Sequence, residues 1–151
     1  MNAVWKKGRG KLGVFDSLLG TWVSTTRSGR GTVRCTRSFT RVLSNRYVQM
    51  ATRWVIRRVV YEEVALFCVG PDRRLCFWSF TSDGKHSTGV WADVREVHAE
   101  AVGFESQMPA GLARMVFWPS SEGGVYWAVE SKGKKGWKRF VEHHFVRAEG
   151  V

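Results

Sequence analysis

The chain has no long apolar segment and no pattern of a long helix. No run approaches the roughly 18 consecutive apolar residues of a membrane span. The start MNAVWKKGRGKLG is basic but lacks the apolar stretch of a secretory signal, so we expect a cytoplasmic protein. The segment GVFDSLLG from Gly13 predicts one helical or 3₁₀ turn ending at Gly20. No later segment shows a 3.6-residue periodicity of helical length.

Cysteines and catalytic motifs are also scarce. Cys35, Cys68 and Cys76 are odd in number and form no CxxC pair. This argues against a disulfide framework or a structural zinc site and suits a reducing compartment. The sequence contains no nucleophile elbow, phosphate-binding loop, HExxH or clustered set of metal ligands. We therefore predict no metal site and no reaction that such motifs carry.

Positive charge and tryptophan are abundant. The 151 residues include 24 Lys and Arg against 13 Asp and Glu, a formal charge of +11, and eight tryptophans. Such a charge attracts nucleic acid, acidic membrane surfaces or anionic small molecules. The cations are spread through the chain without a basic recognition helix, so nucleic acid is expected to bind only by non-specific attraction. Residues 1–12 predict a flexible basic tail, and residues 13–151 predict a single domain.

Short strand-like runs fill the rest of the chain. They are rich in Val, Thr, Phe, Trp and Tyr, and turn-forming residues separate them. In the third run Met50 and Trp54 alternate with polar residues and share one face. Asp83-Gly84 predicts a type I′ hairpin turn. The ten runs are 21–27, 32–42, 46–57, 60–69, 74–81, 86–94, 97–105, 112–118, 125–131 and 136–147.

These runs predict an all-β fold, a closed antiparallel up-and-down barrel of about ten strands. An antiparallel sheet of this length must close or be covered, and no helix is long enough to cover it. A barrel near this strand number has room inside for a small ligand.

The segment LLGTW, Leu18 to Trp22, resembles the signature of the lipocalins and the wider calycin superfamily. Small bacterial lipocalin-like proteins resemble the chain most, and the ten-stranded nitrobindins resemble it more distantly. The resemblance implies that Trp22 plugs the closed end of the barrel and that an arginine of the last strand packs over it. Arg147 is suitably placed for that contact, which is a favourable cation–π interaction.

The stretch KRFVEHHFVR contains two adjacent histidines. Neighbouring residues on a strand point to opposite faces, so His143 and His144 cannot bind one metal together. If Arg147 points inward, His143 and Arg139 also point inward and His144 points outward. The apolar residues of the strand leave this choice open. The resemblance to nitrobindins implies a haem bound through a histidine near the end of the chain.

An acid–base enzyme is a further alternative. Either histidine, with Glu62 or with Glu63, Glu100 or Tyr61, would serve an isomerase or cyclase acting on a hydrophobic substrate. Glu62 and Glu63 are adjacent, so at most one of them points inward.

The function that these observations favour is binding of a small hydrophobic or amphipathic molecule inside the barrel. Aromatic side chains would form most of the pocket. Arg114, if it shares a buried face with Trp118, needs an acidic partner or an anionic ligand. Aromatics of adjacent pairs that point outward provide a surface for a homodimer. The residues predicted to contact the ligand are Met50, Trp54, Trp78, Trp91, Arg114, Trp118 and Trp127.

Overall fold

A computed structural model describes residues 5–28 and 31–148, which form a 3₁₀ helix and ten antiparallel strands. The strands close into a barrel in the order β1-β10-β9-β8-β7-β6-β5-β4-β3-β2, which confirms the predicted up-and-down barrel. The helix spans Lys11–Leu18. The strands are β1 (Gly20–Ser28), β2 (Gly31–Val42), β3 (Tyr47–Ile56), β4 (Val59–Val69), β5 (Leu75–Thr81), β6 (His86–Ala92), β7 (Val102–Met108), β8 (Gly111–Pro119), β9 (Val125–Gly133) and β10 (Gly136–Arg147).

The predicted seventh run, 97–105, is wrong over its first five residues. Residues 93–101 form a loop, held by hydrogen bonds from Val97 to Val94 and from Ala101 to His98. The side chain of Val94 packs with Val116 on the outer face of β8. Val94 and Ala101 are therefore buried against the outside of the barrel, with Val97 partly buried beside them, and a sequence pattern cannot distinguish this segment from a strand.

The hairpin at Asp83-Gly84 is present, but its turn is not type I′. Gly84 has a φ of 83°, whereas Asp83 is not among the described residues with positive φ. The amide of Gly84 donates to the carbonyl of Thr81, and that of Thr81 donates to the carbonyl of Lys85. This is the three-residue loop in which a glycine follows a tight turn. The Asp83 carboxylate accepts hydrogen bonds from Thr81 and Lys85, which favours this alternative.

The 3₁₀ helix closes one end of the barrel. Phe15 and Leu18 are fully buried and join the core. Trp22 donates from its indole nitrogen to the Leu18 carbonyl at 2.7 Å, and the Arg147 guanidinium carbon lies 4.2 Å from the centre of the Trp22 ring. This is the arrangement that the calycin resemblance implied. Arg147 also donates to the carbonyl of Leu19 at 2.6 Å, which ties β10 to the end of the helix.

The described part of the predicted basic tail contacts the barrel. The backbone amide of Trp5 donates to the Glu100 carboxylate, and its side chain packs against the core. The helix begins at Lys11, so the domain boundary predicted at residue 13 falls inside the helix. Residues 1–4 lie outside the described part.

The two ends of the barrel differ. Because β1 starts beside the helix and the hairpins alternate, the last residues of β1 lie at the other end of the barrel, which we call the mouth. The links β3–β4, β5–β6, β7–β8 and β9–β10 lie at the same end. The aromatic rings of Phe15, Phe39, Phe67 and Phe104 fill the helix end, with ring centres 4.6 to 6.4 Å from Phe15. Among the described residues, the open space of the interior therefore lies in the half that faces the mouth, apart from a void of about 10 Å³ beside Trp22 and Arg37.

Candidate ligand-binding site

A cavity of about 430 Å³ occupies the interior on the mouth side. Its apolar wall comes from inward positions of five strands, and it extends to the β7–β8 turn at Ala110 and Gly111. Glu63, Ser87 and Ser106 supply polar groups to the same wall. Its volume is within the range for small-molecule pockets, and an apolar wall with few polar groups is typical of them. The apolar wall includes Met50, Phe77, Met115, Trp127 and Val129.

Arg37 of β2 is buried deep inside the barrel, with 1% of its surface exposed. Its Nε donates to the hydroxyl of Thr52 at 3.0 Å. Its Nη1 and Nη2 atoms are buried and have no hydrogen-bond partner among the described residues. A buried guanidinium without a carboxylate partner is costly, because the charge has left water and little replaces its hydration.

Aromatic rings surround the Arg37 guanidinium. Its central carbon lies 4.3 Å from the centre of the Trp127 ring and 5.1 Å from that of Phe145. Trp54 and Phe117 are each at 5.9 Å. The indole nitrogen of Trp127 is also buried and lacks a partner among the described residues. Two contacting side chains therefore carry unpaired N–H donors, and one of them, Trp127, lines the cavity.

The charges near Arg37 do not neutralise it directly. Burial lowers the pKa of Arg37, and Glu63 and the ionised form of Cys35 oppose this shift. Arginine nevertheless remains a cation in proteins. Burial raises the pKa of Cys35 to about 11, with Arg37 acting against the shift, so this thiol is neutral at physiological pH. Glu63 accepts a short hydrogen bond of 2.5 Å from Ser79 and forms no ion pair with Arg37 within 4.0 Å.

The last strand places His143 inside and His144 outside. The imidazole of His143 lies 4.9 Å from the Trp54 ring and 6.1 Å from the Trp127 ring, and its Nδ1 is 3.1 Å from the hydroxyl of Thr26. His144 stacks at 4.7 Å on Tyr126, on the outer face. Rings pack beside the His143 imidazole, so the geometry resembles a packed wall residue more than an axial haem ligand.

Arg139, predicted to point inward with His143, points outward instead. The β9–β10 pairing shifts between Arg139 and Val141, a bulge that places Phe140 out of register. Arg139 pairs with Glu130 at 3.0 Å and stacks over Trp118 at 4.8 Å. Strict alternation fails here because a bulge reverses the face of every residue beyond it.

His143 is expected to be neutral at pH 7. Burial lowers its pKa below the ordinary 6.5, and the nearby Arg37 cation lowers it further, opposed by Glu142. Because the unfolded chain binds this proton more readily, the contribution of His143 to stability is complete above pH 6.5 and decreases as the pH falls. Side-chain NMR should give a midpoint below 6.5, and His143→Phe should flatten the stability profile on the acid side. A midpoint at or above 6.5 would contradict this environment.

Arg114 points to the outer face of β8 but is also among the residues that line the cavity, so its predicted role as a ligand anchor stays a prediction. It is buried on the outer face of β8 and pairs with Glu130 at 2.7 Å and Glu96 at 2.5 Å. The ring of Trp137 covers its guanidinium at 4.3 Å. The acidic partner that the sequence required is therefore protein, and no anionic ligand is needed there.

Three other predicted site residues face outward. Trp78 is 53% exposed on β5, and Trp118 stacks on Tyr126 outside the barrel. Glu62 is exposed, whereas its neighbour Glu63 lines the cavity. Strand alternation explains each case, since every one of these residues sits beside an inward neighbour. An interior catalytic role for Glu62 is therefore excluded, and Glu63 is the internal carboxylate of the pair.

The remaining predicted contact residues lie inside. Met50 and Trp127 line the cavity, and Trp54 is partly buried beside Trp127 at 5.8 Å. Trp91 packs edge-on against Phe104 in the core near the closed end and is not among the cavity-lining residues. Sequence analysis missed Arg37, although its place between Cys35 and Phe39 in an alternating strand would have assigned it to the inner face.

Comparison with known proteins gives no match, either to a family model or to a curated sequence. Across residues 5–28 and 31–148, no group of three or more His, Cys, Asp or Glu side chains has an arrangement that could bind a metal ion. Within the same residues, no helix is long and apolar enough to cross a membrane.

Proposed function

We propose that this protein is a calycin-like barrel that binds a small amphipathic molecule, with the apolar part in the cavity and an anionic head group directed at Arg37. The single observation that carries the proposal is the pair of buried Nη atoms of Arg37 beside the buried indole N–H of Trp127, none of which has a hydrogen-bond partner within residues 5–28 and 31–148. Native proteins rarely bury donors without acceptors. An anionic group is the partner that a buried guanidinium requires.

The cavity supports an elongated or flat apolar body. Its wall of Met, Phe, Trp and Val side chains offers dispersion contacts, and the methionines adapt to irregular shapes. The head group would have to pass Trp127, because this side chain both lines the cavity and stacks on Arg37. A carboxylate suits the planar guanidinium since it can accept two parallel hydrogen bonds.

The assignment to the calycins is part of this proposal. It is supported by the closed barrel, the 3₁₀ helix at one end and the contact of Arg147 with Trp22. Fold alone does not define a ligand, so the ligand class is argued only from Arg37, Trp127 and the cavity wall.

Native mass spectrometry with an absorbance scan of the same sample tests the proposal. We expect a one-to-one complex with an added single-chain carboxylate and no Soret band in the protein as purified. A Soret band would favour the haem alternative and shift attention to His143. Failure to bind carboxylates, alcohols and amines alike would contradict a ligand-binding cavity.

A further inference from the structure

Exposed apolar side chains surround the mouth of the barrel. Ile56 and Val59 lie on the paired ends of β3 and β4, and Val59 is 67% exposed. Met108 ends β7 and Phe140 lies at the bulge of β10, with 60% of its surface exposed. Met108 and Phe140 also line the cavity. These four residues, which we call the apolar rim, lie on strands from different sides of the barrel.

Cations stand beside the apolar rim. The β9–β10 turn carries Lys134 and Lys135, and Lys132 and Lys138 flank it on the two strands. All four are exposed, and residues 131–138 contain no acidic residue. No ion pair involves any of these lysines within the described chain. Arg58, in the β3–β4 turn, adds an exposed cation on the opposite side of the mouth.

The connections at the closed end differ from those at the mouth in how their charges are paired. Arg74 pairs with Asp72 at 2.7 Å, and Arg95 pairs with Asp93 at 2.6 Å. The long β6–β7 loop also contains Glu96 and Glu100. Cations at the closed end are thus partly neutralised, although Arg46, Arg73 and the segment with Lys6 and Lys7 also present exposed cations there. Exposed apolar residues at that end, Leu43 and Val69, lie on separate connections. At the mouth the β5–β6 turn has a Lys85–Asp83 pair at 4.0 Å, whereas the four lysines around the β9–β10 turn are unneutralised among the described residues and lie near apolar side chains that line the cavity.

We infer that the mouth docks onto an anionic lipid bilayer. Lysines attract an anionic membrane surface, and apolar side chains among them enter the boundary between head groups and acyl chains. A nucleic acid would satisfy the lysines but would leave the apolar rim without an apolar phase to enter. A second copy of this chain would bring the same lysines against one another, which costs Coulomb energy.

This docking goes beyond the proposed function, because it rests on the rim and the lysines and not on Arg37. It also gives the cavity a source of ligand, since its mouth would open directly onto the lipid surface. Loss of docking with retained ligand binding would contradict only this inference. Loss of ligand binding with retained docking would contradict only the proposed function.

Co-sedimentation with phosphatidylcholine vesicles, with and without phosphatidylglycerol, tests the docking. We expect binding to the anionic vesicles that weakens as salt is added. Lys134→Glu with Lys135→Glu should lower the partition coefficient on the order of 30-fold, because each cation near the surface supports binding. The matched control, Lys6→Glu with Lys7→Glu, makes the same change of charge at the closed end and should bind nearly as well as the parent. Val59→Ser should weaken binding on anionic vesicles even at high salt.

An equal loss for the two charge-reversed pairs would contradict mouth-first docking, because it would indicate attraction by net charge alone. Unchanged binding by Val59→Ser would contradict insertion of the apolar rim. A DNA duplex that displaces the protein from vesicles at equal phosphate concentration would overturn the assignment in favour of nucleic acid. Absence of binding to anionic vesicles at low salt would also overturn it.

Discussion

Replacing Arg37 with methionine is expected to stabilise the protein and to abolish its preference for anionic ligands. Methionine is shorter, unbranched and apolar and needs no counter-ion, so the desolvation cost of the buried guanidinium disappears. The hydrogen bond to Thr52 and the stacking on Trp127 are lost, but each contributes only about 1–2 kcal/mol. We expect the free energy of unfolding to rise by about 1–4 kcal/mol, as when other buried charges are replaced by apolar residues. Most substitutions in a protein core lower the free energy of unfolding, so an increase would be distinctive.

The matched control is Arg34→Met, the same change on the exposed face of the same strand. It should alter stability by less than about 0.5 kcal/mol and leave ligand affinity unchanged. Affinity of Arg37→Met for a carboxylate ligand should fall on the order of 100-fold, because two charge-assisted hydrogen bonds are lost. Urea unfolding and titration calorimetry give the two quantities. A destabilised Arg37→Met variant would show that the guanidinium is a structural element, contrary to the proposed role.

Glu130→Ala is expected to destabilise the protein by about 3–5 kcal/mol, the cost of leaving a buried charge without its partner. Glu130 is 5% exposed and accepts from both Arg114 and Arg139. Without it, Arg114 retains only Glu96, whose side chain is largely exposed. The lost carboxylate also leaves Trp137 stacked on a cation that is only partly neutralised.

Glu142→Ala is the control for this network. Glu142 pairs with Arg139 at 2.6 Å, three residues away on the same strand, but it is exposed. Exposed pairs contribute about 0–1 kcal/mol, so this variant should unfold close to the parent. Thermal or urea unfolding measures both variants. If Glu130→Ala and Glu142→Ala lowered the free energy of unfolding by similar amounts, the buried ion pairs of Glu130 would not be the main contribution of this network to stability.

Much of the barrel could be predicted because strand alternation and turn residues are local signals. Met50 and Trp54 alternate with polar neighbours, and the Asp83-Gly84 pair lies at a hairpin. The predicted strand boundaries are wrong where packing between distant parts of the chain overrides this local pattern. Val94 and Ala101 of the β6–β7 loop are buried because they pack on β8 from outside, and a sequence pattern that indicates burial does not show which layer covers the residue.

The candidate site was harder to predict for two reasons. An arginine in a strand is normally a solvent residue, so Arg37 was passed over among the other arginines of its strand. Arg114 is predicted to be buried or to face the cavity if it shares a face with Trp118, and its acidic partners Glu96 and Glu130 lie on the outer side of the barrel. One bulge in β10 also reversed Arg139 relative to His143. Each error concerns which face a side chain occupies, and faces are fixed by register and by covering loops.

The most direct test of the central claim compares one carboxylate ligand with the alcohol of the same chain length by titration calorimetry, for the parent and for Arg37→Met. We expect the parent to bind the carboxylate more tightly, and we expect that preference to vanish in Arg37→Met while the alcohol still binds to both. Equal affinities of the parent for the two ligands, or a preference that survives the loss of Arg37, would contradict an anion-binding site at Arg37.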